Sequence, residues 1–299
     1  MTYDDIVAVF LTAPAQPIPL PSVTTSAARR LRDALEPIAT HGWWARQPSE
    51  RLAALGLGFF EAYVWGRAAA LGTPTASVVA STFGVFEPSF IGGVYLHASA
   101  VALREEVLAA RAGGASDSLA ELVVVAEADA LAAPLLEALG RLDGMGRPLF
   151  SGLRELPLPE TAQGRLWRAS ELVREHRGDG HLAACVAFGL EAPEANVLTE
   201  LWLGYSIGEY SPTRGFGPDR IALAAASLQR RGWVLDGALT AEGLAARIAL
   251  EDATDQSQMK LIEGLGDNIE AIITAADNVA DAVLAAKAFP PDPRKRAAG

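Results

Sequence analysis

Gly232-Trp-Val-Leu-Asp-Gly-Ala-Leu-Thr-Ala-Glu242 is the stretch on which the fold turns. Trp233-Val-Leu235 reads as a short strand, and Asp236-Gly237 is the dipeptide of a tight two-residue hairpin. Ala238-Leu239 returns as the second strand, and Thr240 stands where the next helix needs an N-cap. Just upstream, Phe216-Gly-Pro-Asp-Arg-Ile221 opens a helix that runs to Arg231, with proline in its first turn. Helix, two-stranded wing and capped helix follow in the order of a winged helix. The segment Phe216–Arg231 takes the recognition-helix position.

The first half of the chain echoes this start. Phe86-Glu-Pro-Ser-Phe-Ile91 and Phe216-Gly-Pro-Asp-Arg-Ile221 lie 130 residues apart, and Tyr63-Val-Trp-Gly66 pairs with Glu200-Leu-Trp-Leu203 at an offset of 137. The expectation is a mainly α protein of two pseudo-symmetric winged-helix-like halves with a small β wing. An extended lead-in covers 1–24, with Pro14–Pro21 at its centre. The N-terminal half covers 25–155 and the C-terminal half 156–288, divided at the rigid Leu156-Pro-Leu-Pro-Glu160. Residues 289–299 form a flexible tail, too rich in proline to be helical and with solvated charges. Within the halves, helices are expected from Thr25 or Ser26 to Ile38, and from an N-cap at Ser49 up to Gly72. Others are expected from a cap at Thr73 or Thr75 to Phe83, and over Ser89–Ala109, Leu119–Glu127, Ala130–Leu142 and Glu194–Leu203.

Composition narrows the function classes. The chain has 299 residues, half of them hydrophobic and 20% charged, with a net charge of −11. Such an acidic chain repels phosphate backbones unless its cations cluster. The recognition segment holds Arg220, Arg230 and Arg231 but also Asp219. The wing holds Asp236 and no Lys or Arg, and the matching N-terminal helix has no cation before Arg104. DNA binding is therefore expected to be weak or absent. The lone Cys185, set among alanines, reads as packing, and it excludes disulfides and thiolate metal sites. A reducing cytoplasm fits. No apolar run is long enough to span a membrane, and Asp4 and Asp5 stand where a signal peptide needs positive charge.

Chemistry concentrates in Glu171-Leu-Val-Arg-Glu-His-Arg-Gly-Asp-Gly-His181. Gly178 and Gly180 are expected to break a helix here, with Asp179 capping the helix that follows and His181 in its first turn, where the positive helix end keeps an imidazole neutral. His176 falls on the inward stripe with Ala169 and Val173. Arg174 and Glu171 can pair on another face, and Arg177 can hold a carboxylate or phosphate. The spacing of His176 and His181 across a helix break does not favour a metal, and no phosphate loop, dinucleotide fingerprint or hydrolase elbow is present, so no metal or cofactor is expected. The aromatics Trp43, Trp44, Phe59, Phe60, Tyr63, Trp65, Phe83, Phe86 and Phe90 crowd the N-terminal half, with His41 and Arg67 as the nearest polar groups. They read as core or as the wall of an apolar pocket.

Gly66-Arg-Ala-Ala-Ala-Leu-Gly72, Phe83-Gly-Val-Phe-Glu-Pro88, the Glu-His-Arg-Gly-Asp-Gly-His string and Leu239-Thr-Ala-Glu-Gly243 followed by Thr254-Asp255 resemble an actinobacterial family of duplicated, MarR-like helix-turn-helix proteins. The chain departs from that pattern at Ala69-Ala-Leu-Gly72, where Ala-Pro-Leu-Gly is usual, and at Val85, where asparagine is usual. The resemblance implies the fold; it implies no common activity. From the residues, the expected function is binding of a small organic, acidic ligand between the halves by a monomer or homodimer. Arg177, His41, Trp43, Trp44, Tyr63, Arg67 and Phe83 would contact the ligand. The alternatives are a cofactor-independent isomerase, cyclase or lyase using His176 or His181 with Glu175 or Asp179, and a ligand-responsive regulator that binds DNA.

Overall fold

The computed structural model of the protein describes residues 3–13 and 25–298, so the expected proline-rich lead-in at Pro14–Pro21 lies outside the described residues. The fold is mainly α. Among the described residues the strands form one antiparallel pair, β1 (Val234–Leu235) and β2 (Ala238–Leu239), with Val234 opposite Leu239. Asp236 and Gly237 both have positive φ, 49° and 76°, as the tight hairpin requires. The wing is therefore where the sequence placed it. It follows α13 (Pro218–Arg230) and precedes α14 (Ala241–Gln256), whose N-cap Thr240 accepts from the Gly243 N–H.

Around one very long helix, α11 (Ala162–Ala187), the chain builds a central layer from α2 (Ala27–Ala39), α8 (Arg104–Ala120), α9 (Val125–Gly140), α10 (Pro148–Arg154), α15 (Met259–Leu265) and α16 (Ile269–Ala285). Its core runs from Leu31 and Leu35 through Leu135, Phe150 and Trp167 to Ile273 and Phe289. Residues on both sides of Leu156–Glu160 share this core, so that connector divides the sequence without dividing the packing. Two lobes flank the layer. The first holds α4 (Arg46–Ala54), α5 (Phe59–Ala68), α6 (Ala76–Phe83) and α7 (Pro88–Val101) around Trp65, Phe83, Phe86 and Ile91. The second holds the end of α11, α12 (Ala192–Trp202), α13 and the wing around Phe216, Ile221 and Leu228. The repeated Phe-x-Pro start does the same work in both lobes: Phe86 and Phe216 are buried, and Pro88 and Pro218 open α7 and α13.

Several boundaries differ from expectation. Ser89–Ala109 is two helices, parted at Ala102-Leu103. There the Glu106 carboxylate accepts the Leu103 N–H, and Ala102 and Leu103 are extended. The segment from Ser49 to Gly72 also breaks, at Leu55–Gly58; Ser49 is inside α4, which starts at Arg46. Leu119–Glu127 is not one helix, because α8 ends at Ala120 and α9 begins at Val125. The N-terminus holds a helix, α1 (Tyr3–Phe10). The tail, expected to be flexible and non-helical, forms α17 (Pro293–Ala298), because Pro293 sits at a helix start, where proline is tolerated. Its charges are not simply solvated: Arg29 and Arg32 donate to the Ala297 and Arg296 carbonyls, and Arg296 donates to the Asp33 carbonyl.

Candidate functional site

Helix α11 is continuous through Gly178-Asp-Gly180, against the expected break. Two glycines weaken a helix by about 1 kcal/mol each, but α2, α8, α9, α10 and α14 pack along this one and hold it. Asp179 and His181 are therefore in mid-helix, and neither stands at a helix start. Asp179 caps a different helix: its Oδ2 accepts the Phe150 N–H at 3.0 Å, in the first turn of α10.

Continuity puts Glu175, Gly178 and Leu182 on one stripe, with Asp179 beside it. That stripe forms the wall of a cavity of about 130 Å³ between the lobes. Tyr63, Arg67, Thr82, Phe83, Val85 and Phe86 line it from the first lobe; Asn196, Thr199, Tyr210 and Arg214 line it from the second. Arg32, Arg177, His181, Arg247 and Glu251 complete it from the layer side. The lobes meet around it. Asn196 donates to the Val85 carbonyl at 2.7 Å, the Glu87 N–H donates to the Arg214 carbonyl at 2.8 Å, and Gly215 lies directly on the Phe90 ring.

A second, wider cavity of about 760 Å³ adjoins it and shares Tyr63, Arg174, Tyr210 and Arg214. Its walls are aromatic: Phe10, Trp43, Trp44, Phe59, Phe60, Phe90 and Phe289. Phe10, Trp44 and Phe59 pack with centroids 5.3 to 5.7 Å apart. Together the two spaces make an aromatic vestibule and a polar inner chamber.

The chamber's charges are largely paired. Arg67 grips Glu175 with two hydrogen bonds, Nε to Oε1 at 2.9 Å and Nη2 to Oε2 at 2.7 Å, while Arg174 reaches Glu175 at 3.1 Å and Glu36 at 3.3 Å. Burial alone would raise the Glu175 carboxyl, yet Arg67 and Arg174 hold it down at about 2. The expected pairing of Arg174 with Glu171 does not occur; buried Glu171 pairs with Arg111, which lies between the Trp43 and Trp167 rings. Arg177 is also taken: its Nη2 donates to Glu251 at 2.9 Å and Asp255 at 3.1 Å.

Asp179 is different. Its Oδ1 is buried and has no hydrogen-bond partner among the described residues, and burial pushes its carboxyl up to about 7. Arg214 also stands apart. Among the described residues no carboxylate pairs with it; it donates to the Tyr210 hydroxyl and lies over the Tyr210 and Phe86 rings. Lys295 from α17 shares the vestibule with it, and burial, then Arg214, lowers the Lys295 ammonium pKa.

The predicted site residues therefore divide. Tyr63, Arg67, Phe83, Glu175, Arg177, Asp179 and His181 meet at the inner chamber, and Trp43 and Trp44 line the vestibule. His176 faces away, bonded to Gln258 at 2.8 Å with its ring edge-on to Phe150. His41 is sealed against Ser118 at 2.8 Å, outside both cavities. Burial pushes His41, His176 and His181 down to about 4. His181 is thus neutral as expected, but because of burial and not because of a helix end. Cys185 lies 3.6 Å from the His181 ring, and burial raises its thiol to about 11, so it is an inert packing group.

Sequence reasoning missed Asn196, Thr199, Tyr210 and Arg214. For Tyr210 and Arg214 a signal was present: Gly204–Gly217 is a long glycine-rich connection with two tyrosines and an arginine, and loops of that length tend to carry function. Glu200, fully buried, fixes this loop by accepting the N–H groups of Gly208, Tyr210 and Ser211.

Among the described residues no helix is long and apolar enough to cross a membrane. No curated protein and no solved structure matches the chain. A family model does match it, over residues 28–290, which takes in the central layer, both lobes and every residue of the two cavities except Phe10, Lys295 and Ala297; the chain belongs to this helix-turn-helix family.

Proposed function

We propose that the protein binds a small organic acid, using a duplicated, MarR-like winged-helix scaffold as its frame. The ligand's acid group pairs with Arg214 where the vestibule meets the inner chamber, and its apolar or aromatic body packs on the Tyr63, Phe83 and Phe86 rings of the chamber side. The observation that carries this reading is Arg214 itself: a half-buried guanidinium with no carboxylate partner among the described residues, at the junction of an aromatic space and a polar one. Six arginines line the inner chamber; five are paired with carboxylates, and among the described residues Arg214 is not. Arg177, the group first expected to take the acid, is neutralised by Glu251 and Asp255. The test is titration with 8-anilinonaphthalene-1-sulfonate and with simple aryl carboxylates, followed by quenching of Trp43 and Trp44. Saturable binding that weakens at least about tenfold in Arg214→Ala supports the reading. Binding that is indifferent to Arg214, or absent, refutes it.

A second reading, a regulator that contacts DNA, is favoured by the family match. The surface argues against it. The exposed positions of α7 include Phe90, Leu96, His97 and Val101, with no arginine or lysine. Exposed Leu223 on α13 and Leu235 on the wing stand where cations would be useful, leaving Arg220 and Arg230. Weak, non-saturating shifts of promoter fragments at physiological salt are expected; tight, salt-sensitive binding would reinstate the regulator.

A further inference from the structure

From Leu166 to Gly180 every residue of α11 is buried or half-buried except Gly178, which is exposed and lines the inner chamber. Glycine inside a helix is less stable than alanine by about 1 kcal/mol. At Gly180 packing explains it, since a Cβ would strike the Ser257 hydroxyl and the Arg147 guanidinium. At Gly84 a Cβ would strike Leu182. At Gly178 a Cβ would meet only Glu175 Oε2, at 3.9 Å, which is ordinary contact. The protein's own atoms do not demand this glycine. What it keeps open is the chamber.

The next residue adds an independent observation. Asp179 is 3% exposed and lines the same chamber. One of its oxygens is engaged by the Phe150 N–H, and Oδ1 has no partner among the described residues. A buried acceptor left unpaired costs about 1–3 kcal/mol. Two adjacent residues thus each carry a local cost on the chamber wall, and one bound group offsets both.

We propose that Gly178 and Asp179 form a subsite for an uncharged hydrogen-bond-donating head, a hydroxyl or an amide N–H, on the organic acid. The head rests on the bare backbone at Gly178 and donates to Asp179 Oδ1. This rests on the reading of the cavities as an organic-acid site and fixes the ligand's other end. A cationic head is disfavoured, because Arg32, Arg67, Arg174, Arg177 and Arg247 line the same space. Thr82, Asn196 and Thr199 supply further polar edges suited to a hydroxyl. The ligand class is therefore a hydroxy- or amido-acid with an apolar or aromatic middle.

The experiment uses matched probes on the full chain at about pH 8, where the Asp179 carboxyl is ionised and Oδ1 can only accept: phenylacetate against 4-hydroxyphenylacetate, and 3-phenylpropanoate against 3-(4-hydroxyphenyl)propanoate, with affinities read by saturation-transfer NMR. The hydroxylated member of at least one pair is expected to bind about tenfold more tightly, as follows when the other member leaves a buried acceptor unpaired. Asp179→Asn keeps a carbonyl for the Phe150 N–H and turns an amide donor toward the chamber, so the preference collapses to about onefold. Gly178→Ala raises the thermal midpoint while weakening the hydroxylated probe about tenfold, a split that a purely structural glycine does not produce. Equal affinities within both pairs in the wild type, a preference that survives Asp179→Asn, or a Gly178→Ala protein that binds like wild type overturns the subsite and leaves the organic-acid reading standing. If no probe of either kind binds, the organic-acid reading itself falls, and the subsite with it.

Discussion

Asp179 holds its proton more tightly in the fold than in the open chain, at about 7 against an ordinary 3.8. Its contribution to stability is therefore full at pH below 3.8 and is lost as pH rises through about 7. At pH 8 the ionised carboxylate costs on the order of 4 kcal/mol. Asp179→Asn is expected to raise the urea midpoint at pH 8 and to change it little at pH 4; a variant equally destabilised at both would disprove the shift. Glu175 predicts the reverse. It balances Arg67 and Arg174 inside the chamber, so Glu175→Gln leaves two buried guanidiniums short of charge and is expected to cost about 3–5 kcal/mol in chemical denaturation. A loss below about 1 kcal/mol would mean that solvent already screens the pair. At this scale the sequence was legible in residue type and illegible in partner. It marked Glu175, Arg177, Asp179 and His181 as a site, but Arg177's partners, Glu251 and Asp255, lie more than seventy positions away, where no local pattern points to them.

Among the elements, α11 shows why local signals failed where they did. Gly178 and Gly180 carry a real local preference for a break, and tertiary packing from five other helices overrides it. Elements whose signals were chemical and local were read correctly: the wing from Asp236-Gly237, α14 from Thr240, α6 from Thr75, α7 and α13 from their prolines. The break at Ala102-Leu103 had no glycine or proline to announce it. Its mark was Glu106 three residues on, a capping signal without the usual hydroxyl partner. The continuity of α11 is testable through Gly180→Ala. A broken helix would tolerate or welcome the methyl. The continuous helix drives it into Ser257 and displaces Arg147 from the His176 and Ser257 carbonyls, so a loss of about 1–3 kcal/mol in thermal or urea unfolding is expected.

For the whole molecule, three histidines buried in neutral form set its response to acid. His41, His176 and His181 each titrate near 4 in the fold and at an ordinary 6.5 when open, so the stability they supply is present above 6.5 and lost as pH falls toward 4. Asp179 works in the opposite direction, as do Glu171 and Asp277, whose carboxyls burial also raises, while the lowered carboxyls of Glu175, Glu251 and Asp33 act on the side of the histidines. The thermal midpoint is expected to fall between pH 6.5 and 4, and a flat profile there would contradict the burial of these rings. The seam between the lobes sets a distance as well. The Glu87 N–H bonds the Arg214 carbonyl, Pro88 begins α7 next to Glu87, and α13 begins four residues after Arg214. Four residues span at most about 14 Å, and the hydrogen bond with its flanking backbone adds about 10 Å, so the starts of α7 and α13 are held within roughly 25 Å of each other. Paired recognition helices on a duplex must stand about 34 Å apart, one turn of the double helix, to enter successive major grooves. If α7 and α13 serve as recognition helices, the closed seam keeps their starts short of that spacing, and one chain is expected to need an opened seam or a second copy to read both arms of a palindrome.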